Sequence, residues 1–379
     1  MALTISGVRI NGALTAVHII PPPPPPPYGL YSSGKNQKGQ LGDGTTVDKS
    51  NLIQVGASVD WASVDAGADS SAAIKTDGTM WAWGTNYQGK LGQGDTTDRS
   101  SPVQIGALTT WSTVSAGSDS FVARKTDGTL WAWGRNYAGM LGIGDETARS
   151  SPVQIGALTN WSKISAGGYF TLAIKTDGTL WSWGHNAGFG AGRLGLGNTT
   201  NYSSPKQIGA DTNWANIASS FLVALATKTN GTLWAWGAGL GGALGVGDIT
   251  NRSSPTQVGA LTTWSTISAY NYGISAIKTD GTLWAAGFNN YGQLGIGDTD
   301  NRSSPVQVGA LTTWLRIGAG QYHMTAIKTD GTLWTWGRNS YGRLGIGDTN
   351  NRSSPVQIGS STTWSVVSGT QSIHSHAIG

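Results

Sequence analysis

Five histidines, His18, His185, His323, His374 and His376, are the side chains in this sequence best suited to hold a metal or move a proton near neutral pH. Only His374-Ser375-His376 sets two of them close together, and on a strand that spacing turns both imidazoles to one face. Two ligands do not make a zinc site, and no third stands at motif spacing, so no metal is expected. With zero Cys there is no thiolate nucleophile, and no nucleophile, base and orienting acid occur at motif spacing. The chain therefore reads as a non-enzyme that needs no cofactor.

The Leu-Gly-x-Gly-Asp turns ending at Asp95, Asp145, Asp248, Asp298 and Asp348 have the glycine content of a phosphate or calcium loop. No helix follows them to cradle a phosphate, and each Asp precedes an arginine by four residues, at Arg99, Arg149, Arg252, Arg302 and Arg352. A nearby cation opposes calcium binding, so a local ion pair is the expected role. The net charge of +4 comes from 24 basic and 20 acidic residues, and the repeated Lys-Thr-Asp and Asp-to-Arg pairs nearly cancel. No basic stripe remains to face phosphates, and nucleic-acid binding is not expected.

These residues sit in a chain of unusual make-up. Its 57 glycines are about 15% of 379 residues, roughly twice the ordinary share, and charged residues at 12% are about half of theirs. Self-comparison finds Trp61, Trp111, Trp161, Trp214, Trp264, Trp314 and Trp364, spaced by 50 residues except for one interval of 53. A second signature, Leu130-Trp-Ala-Trp-Gly134, recurs with first aromatics Tyr31, Trp81, Trp131, Trp181, Trp234, Trp284 and Trp334. Each of the seven copies reads as four short strands: Val103–Ala107, Trp111–Ala116, Phe121–Thr126 and Thr129–Gly134 in one example. Asp127-Gly128 between the last two predicts a type I′ hairpin, repeated at Asp77, Asp177, Asp280 and Asp330, with Asn230-Gly231 as the variant. A tryptophan required once per copy is expected to pack between copies rather than to form a sugar platform.

Four strands per 50 residues predict an all-β, seven-bladed propeller of four-stranded blades; a parallel β-helix is the alternative. The last copy stops at Ala377-Ile378, before its Trp-x-Trp strand, and that strand stands at the other end as Leu30–Gly34. Both termini thus complete one blade, leaving no open edge. The motifs Gly320-x-x-His-x-x-Ala-Ile327, Asp330-Gly331, Trp334-Thr-Trp-Gly337 and Asn339-x-Tyr-Gly-x-Leu-Gly345 resemble the RCC1 repeat family. The resemblance covers about residues 28–379 and implies a seven-bladed propeller. It also implies a binding role, since the family holds exchange factors for small GTPases and secreted inhibitors of β-lactamases. The family's histidine stands at His323, with Ser70, Ser120, Phe170, Val223, Gly273 and Ile373 read at the other six positions, a departure that weighs against exchange activity.

Residues 28–379 form the propeller, 21–27 a polyproline linker of roughly 22 Å, and 1–20 a docking segment. Val8 to Thr15 reads as a hairpin with an Asn-Gly turn, and Ile5, Val8, Ile10, Leu14 and Val17 are the apolar side chains available for anchoring. A disordered tail is the alternative. The segment lacks the features of a signal peptide, and the longest apolar run, Phe221 to Ala226, is too short for a membrane span.

Strand order places the Asp-Gly hairpins at one end of the blades, where copies are nearly identical, and the loops after Ser-Ala-Gly and Trp-Gly at the other, where they diverge. Asp69, Asp119, Phe121, Tyr169, Phe170, Phe221, Tyr272, Tyr322, His323 and His374 are the expected binding residues for a protein or glycan ligand, with drift at unconstrained tips as the alternative. The functional expectation is a non-enzymatic display or adhesion propeller, anchored through residues 1–20 to an assembly such as a virion or surface appendage. A cytoplasmic location is also compatible. A regulatory propeller binding a GTPase or an enzyme is the competing reading.

Overall fold

The computed structural model describes residues 9–10, 13–14, 28–188, 192–368 and 372–379. Ahead of the main body, Arg9–Ile10 pairs antiparallel with Ala13–Leu14, as the expected hairpin places them. Ile10 and Leu14 lie on these two strands; Ile5, Val8 and Val17, and the proline linker, lie outside the described residues.

From residue 28 onward the chain folds into seven four-stranded antiparallel sheets. Blade 1 comprises Trp61–Ala66, Ser70–Lys75, Met80–Gly84 and Arg99–Gln104, in that spatial order from the centre outward. Blades 2 to 6 repeat it from Trp111, Trp161, Trp214, Trp264 and Trp314. Blade 7 joins Val366–Val367 and His374–Ile378 to Leu30–Gly34 and Lys49–Gln54, with Leu30 opposite Ile378 and Gly34 opposite His374. The ring is closed by the two ends of the chain, as the incomplete seventh copy requires.

Two of the strand expectations change. The outer strand runs from Arg99 to Gln104 rather than Val103 to Ala107, because Gly106 takes a φ of +59° and turns the chain back toward the centre. The Asp-Gly hairpin is not type I′. Gly128 has a φ of +80°, but Asp127 is not among the residues with positive φ, and the Gly128 N–H donates to the Lys125 carbonyl at 3.0 Å. This is a type I turn followed by a left-handed glycine, the three-residue hairpin loop. Asp127 stays right-handed because its carboxylate accepts from both the amide (2.9 Å) and the hydroxyl (2.7 Å) of Thr129.

Tryptophan does the packing. The inner-strand Trp111 meets Trp131 edge-on at 6.2 Å, and the Lys125 ammonium lies 3.7 Å from the Trp131 ring centroid, an arrangement that recurs around the ring. The second tryptophan of each Trp-x-Trp pair is buried against the preceding blade: the Trp83, Trp236 and Trp336 indoles donate to the carbonyls of Gln40, Arg193 and Gln293. The Leu-Gly-x-Gly-Asp turns are staples. The second glycine of each donates its N–H to a serine carbonyl in the next blade's outer strand, from Gly44 to Ser100 around to Gly347 to Ser50. The arginine partners match expectation as well, with Arg99 to Asp95 and Arg149 to Asp145 both at 2.6 Å.

Candidate functional site

Within each blade the loop from the first to the second strand and the loop from the third to the fourth emerge at the same end. They are tied together: His185 N–H donates to the Tyr169 carbonyl, Arg135 to Asp119 and Arg338 to Tyr322, each at 2.9 Å. A side chain on one loop is thereby set beside a side chain on the other, and the divergent residues become one surface.

Two aromatic clusters form there. In the first, Tyr169 of blade 3 meets Phe221 of blade 4 at 5.0 Å and Tyr137 of blade 2 at 6.1 Å, while His185 lies 5.2 Å from Tyr137. The Arg135 guanidinium lies 5.2 Å from the Tyr137 ring and 5.8 Å from Tyr169. In the second, Tyr322 of blade 6 stacks on Tyr272 of blade 5 at 6.1 Å and meets Tyr291 edge-on at 5.5 Å, with Phe288 5.2 Å from Tyr272. Arg338 lies 4.7 Å from Tyr291. Tyr137 is 49% exposed; Tyr169, Phe221, Tyr272 and Tyr322 are half-buried. Burial, followed by the neighbouring Tyr272, raises the Tyr322 hydroxyl above the usual phenol range, so its proton is retained at neutral pH.

A third sector is charged. Asp69 accepts from Lys35 and from the Gln40 amide, each at 3.2 Å. Asp119 pairs with Arg135 at 3.2 Å and with Lys90 at 3.7 Å, and the Lys90 ammonium also donates to the Ser118 carbonyl. Both acids are partly exposed and already paired.

Four expected contact residues lie inside instead. Phe121, Phe170, His323 and His374 are all 2% exposed or less, because they belong to the second strand itself and point between blades. Phe121 meets Trp133 edge-on at 5.9 Å, which is packing. His374 and His376 do share a face, 5.0 Å apart, and both Nε2 atoms approach Ser71 Oγ, at 2.9 and 2.7 Å. The Ser71 hydroxyl also donates to the Gln40 carbonyl at 2.9 Å, so the two imidazoles share one serine within the seam between blades 7 and 1. Burial holds His374 well below the usual histidine range and His376 at about 3. His323 makes the same contact with Ser375 Oγ at 2.8 Å. Among the described residues no three His, Cys, Asp or Glu are grouped to hold a metal.

The register also corrects one alignment. His374 faces Gly34 as His323 faces Gly337 and Ser70 faces Gly84, so the repeat's histidine position in blade 7 is His374, not Ile373. The loop before it is one residue longer than in the other blades. The reading from sequence also missed Arg135, Tyr137, His185, Phe288, Tyr291 and Arg338. Their signal was available, since Lys35, Thr85, Arg135, His185, Ala238, Phe288 and Arg338, the residues after each third strand, vary as much as the loop opposite.

The description "Regulator of chromosome condensation (RCC1) repeat" matches residues 29–74, 77–123, 127–174, 230–270, 280–327 and 330–372, well over half of the chain. The chain belongs to the RCC1 repeat family. A second description of the RCC1 repeat matches residues 61–90, 111–139, 161–190 and 315–343. Among solved structures this RCC1-family propeller resembles human WBSCR16, at 20% identity and a TM-score of 0.83 over 93% of this chain and 98% of that one. It resembles Prp20p of Saccharomyces cerevisiae, studied with its binding to Gsp1p and histones, at 18% identity and 0.82 over 93% and 91%. Yeast RCC1 (Prp20) bound to Kap60 follows at 18% identity and 0.81 over 93% and 89%. At these identities the likeness is one of fold. No curated protein matches the chain. No helix among the described residues is long and apolar enough to cross a membrane.

Proposed function

We propose that this RCC1-family chain is a non-catalytic propeller that binds a protein partner across its divergent loop face. The observation that carries this reading is the pair of aromatic and arginine clusters around Tyr169 and Tyr322, each assembled from loops of two or three blades. Rings held by a rigid ring of sheets offer large contact area with little ordering cost, and Tyr and Arg dominate binding energy at protein interfaces. The paired acids Asp69 and Asp119 then form a charged rim beside them. The test is capture of partners on the full chain, compared with Tyr169→Ala and Tyr322→Ala variants and with Leu311→Ala, an exposed residue of the opposite end. Loss confined to the first two supports the reading; equal retention by all three overturns it.

Display on a larger assembly, such as a virion or surface appendage, is a second reading. What supports it is the strand pair Arg9–Ile10 and Ala13–Leu14, ahead of seven consecutive prolines in the sequence. Removing residues 1–27 should leave the propeller's melting unchanged and abolish incorporation into the native assembly. Normal incorporation would refute display by this segment.

A further inference from the structure

The residue before Leu in the Gly-x-Leu-Gly turn reaches an acid of the next blade in two copies. Gln40 donates to Asp69 of blade 1, and Lys90 pairs with Asp119 of blade 2. Asp69 and Asp119 are the residues immediately before the second strands at Ser70 and Ser120. Arg343 holds the same place in blade 6. It lies against blade 7, where its carbonyl accepts from Ser33 and Ser375 at 3.2 and 2.8 Å. The residue before blade 7's second strand is Ile373, which brings no charge.

Arg343 is consequently a buried cation without its carboxylate. It is 1% exposed, its Nε donates to the Ser340 carbonyl at 3.0 Å, and its Nη1 has no partner. A second guanidinium, Arg338, is half-buried nearby, with Nε bonded to Ser340 Oγ at 3.0 Å and its face toward Tyr291 and Tyr322. Among the described residues no carboxylate pairs with either arginine. Burial, then the field of Arg338, pushes the Arg343 guanidinium down to about 10, the direction expected of a cation lacking a counter-ion. Tyr341, 43% exposed, is the ring closest over Arg343, at 6.0 Å from its guanidinium carbon.

We propose that Arg343 and Arg338 form an oxyanion recess on the loop face, filled by an acidic side chain of the protein partner. The carboxylate takes the place that Asp119 occupies beside Lys90, reaching Arg343 once the exposed Tyr341 ring turns aside. Tyr291 and Tyr322 flank it. This deepens the proposed protein-binding function and rests on it for the identity of the donor.

The recess is testable without the partner. Calorimetric titration of the full chain with tetra-L-aspartate should show binding that tetra-L-asparagine does not, and that weakens as ionic strength rises. Arg343→Met should reduce the affinity by about tenfold or more, since a charge-assisted hydrogen bond to a desolvated partner is lost. Ile373→Asp supplies the missing carboxylate from within and should abolish binding while leaving Arg343 in place, so the proposal does not depend on Arg343→Met folding. Tetra-aspartate binding lost in both variants supports the recess. Binding of inorganic phosphate without binding of tetra-aspartate would overturn the acidic-side-chain assignment, and tetra-aspartate binding unchanged in both variants would overturn the recess. Failure here leaves partner capture by the Tyr169 cluster untouched, so the two readings fail separately.

Discussion

The backbone N–H of Gly347 donates a 2.8 Å hydrogen bond to the carbonyl of Ser50, joining the sixth blade to a strand contributed by the beginning of the propeller. The six other staples join consecutive blades in one chain direction; this one crosses the point where the ring is closed. Beside it, His374–Ile378 is paired on both edges, to Val366–Val367 and to Leu30–Gly34. Deleting residues 372–379 therefore removes the strand paired to Leu30–Gly34 and to Val366–Val367, and exposes two blade edges at once. The expected outcome is global destabilisation comparable to the whole stability of an ordinary domain, about 5–15 kcal/mol, read by chemical denaturation. A truncated chain that melts like the intact one would refute the role given to closure.

Fold and site were legible to different depths. The tryptophan period, the incomplete seventh copy and the direction of each strand are properties of residue order, and they translate directly into blades, closure and ends. The turn at Asp127 was not, because whether an aspartate before glycine goes left-handed depends on where the flanking strands pair. Burial in the loops turned on a similar displacement. Tyr169 is the last residue before its strand and reaches the surface, whereas Phe170 begins the strand and points inward. The His374 alignment failed for a related reason, since a one-residue loop insertion is invisible to motif spacing and is revealed only by the Gly34 pairing.

Glycines with positive φ differ in what they tolerate, as Gly92 of a staple turn and Gly106 after an outer strand illustrate. A Cβ on Gly92 would stand 2.7 Å from the Trp133 indole nitrogen, whereas one on Gly106 would meet nothing within 4 Å. Both have positive φ, so either alanine carries left-handed strain of about 1–2 kcal/mol. Gly92→Ala adds overpacking of about 1–3 kcal/mol. Denaturation midpoints should accordingly rank wild type, Gly106→Ala and Gly92→Ala in falling order, and equal losses would contradict the packing described for Trp133.

Acid should loosen the closing blade before it affects the carboxylates. His323, His374 and His376 are held below the ordinary value of 6.5, chiefly by burial, whereas unfolded histidines protonate there. Below pH 6.5 the unfolded chain thus binds more protons, and stability falls with falling pH by up to about 1.4 kcal/mol per pH unit for each histidine. Aspartates such as Asp77 and Asp127, lowered from 3.8 chiefly by their hydrogen bonds to Thr79 and Thr129, contribute losses only below that value. His376→Gln should remove one histidine's share of the slope between about pH 4.5 and 6. An unchanged slope in stability measured against pH would show that His376 titrates normally in the fold.

The two aromatic clusters make the last prediction, because they separate a binding surface from mere ornament at loop tips. Tyr169 and Phe221 belong to different blades and touch at 5.0 Å, as Tyr272 and Tyr322 do at 6.1 Å, so a partner lying on either pair contacts two blades at once. Truncating a true anchor costs about 2 kcal/mol or more in binding, roughly thirtyfold in Kd. The fold should lose far less, since these rings are half-exposed and the blades are held by the tryptophans beneath them. Tyr169→Ala with Phe221→Ala, and separately Tyr272→Ala with Tyr322→Ala, should each weaken partner binding by that amount while keeping the melting temperature within a few degrees. Leu108→Ala with Leu158→Ala, exposed residues of the opposite end, should leave binding unchanged. If the leucine pair weakened binding and both aromatic pairs did not, the partner would sit on the near-identical end, and the loop face would have to be abandoned as the interface.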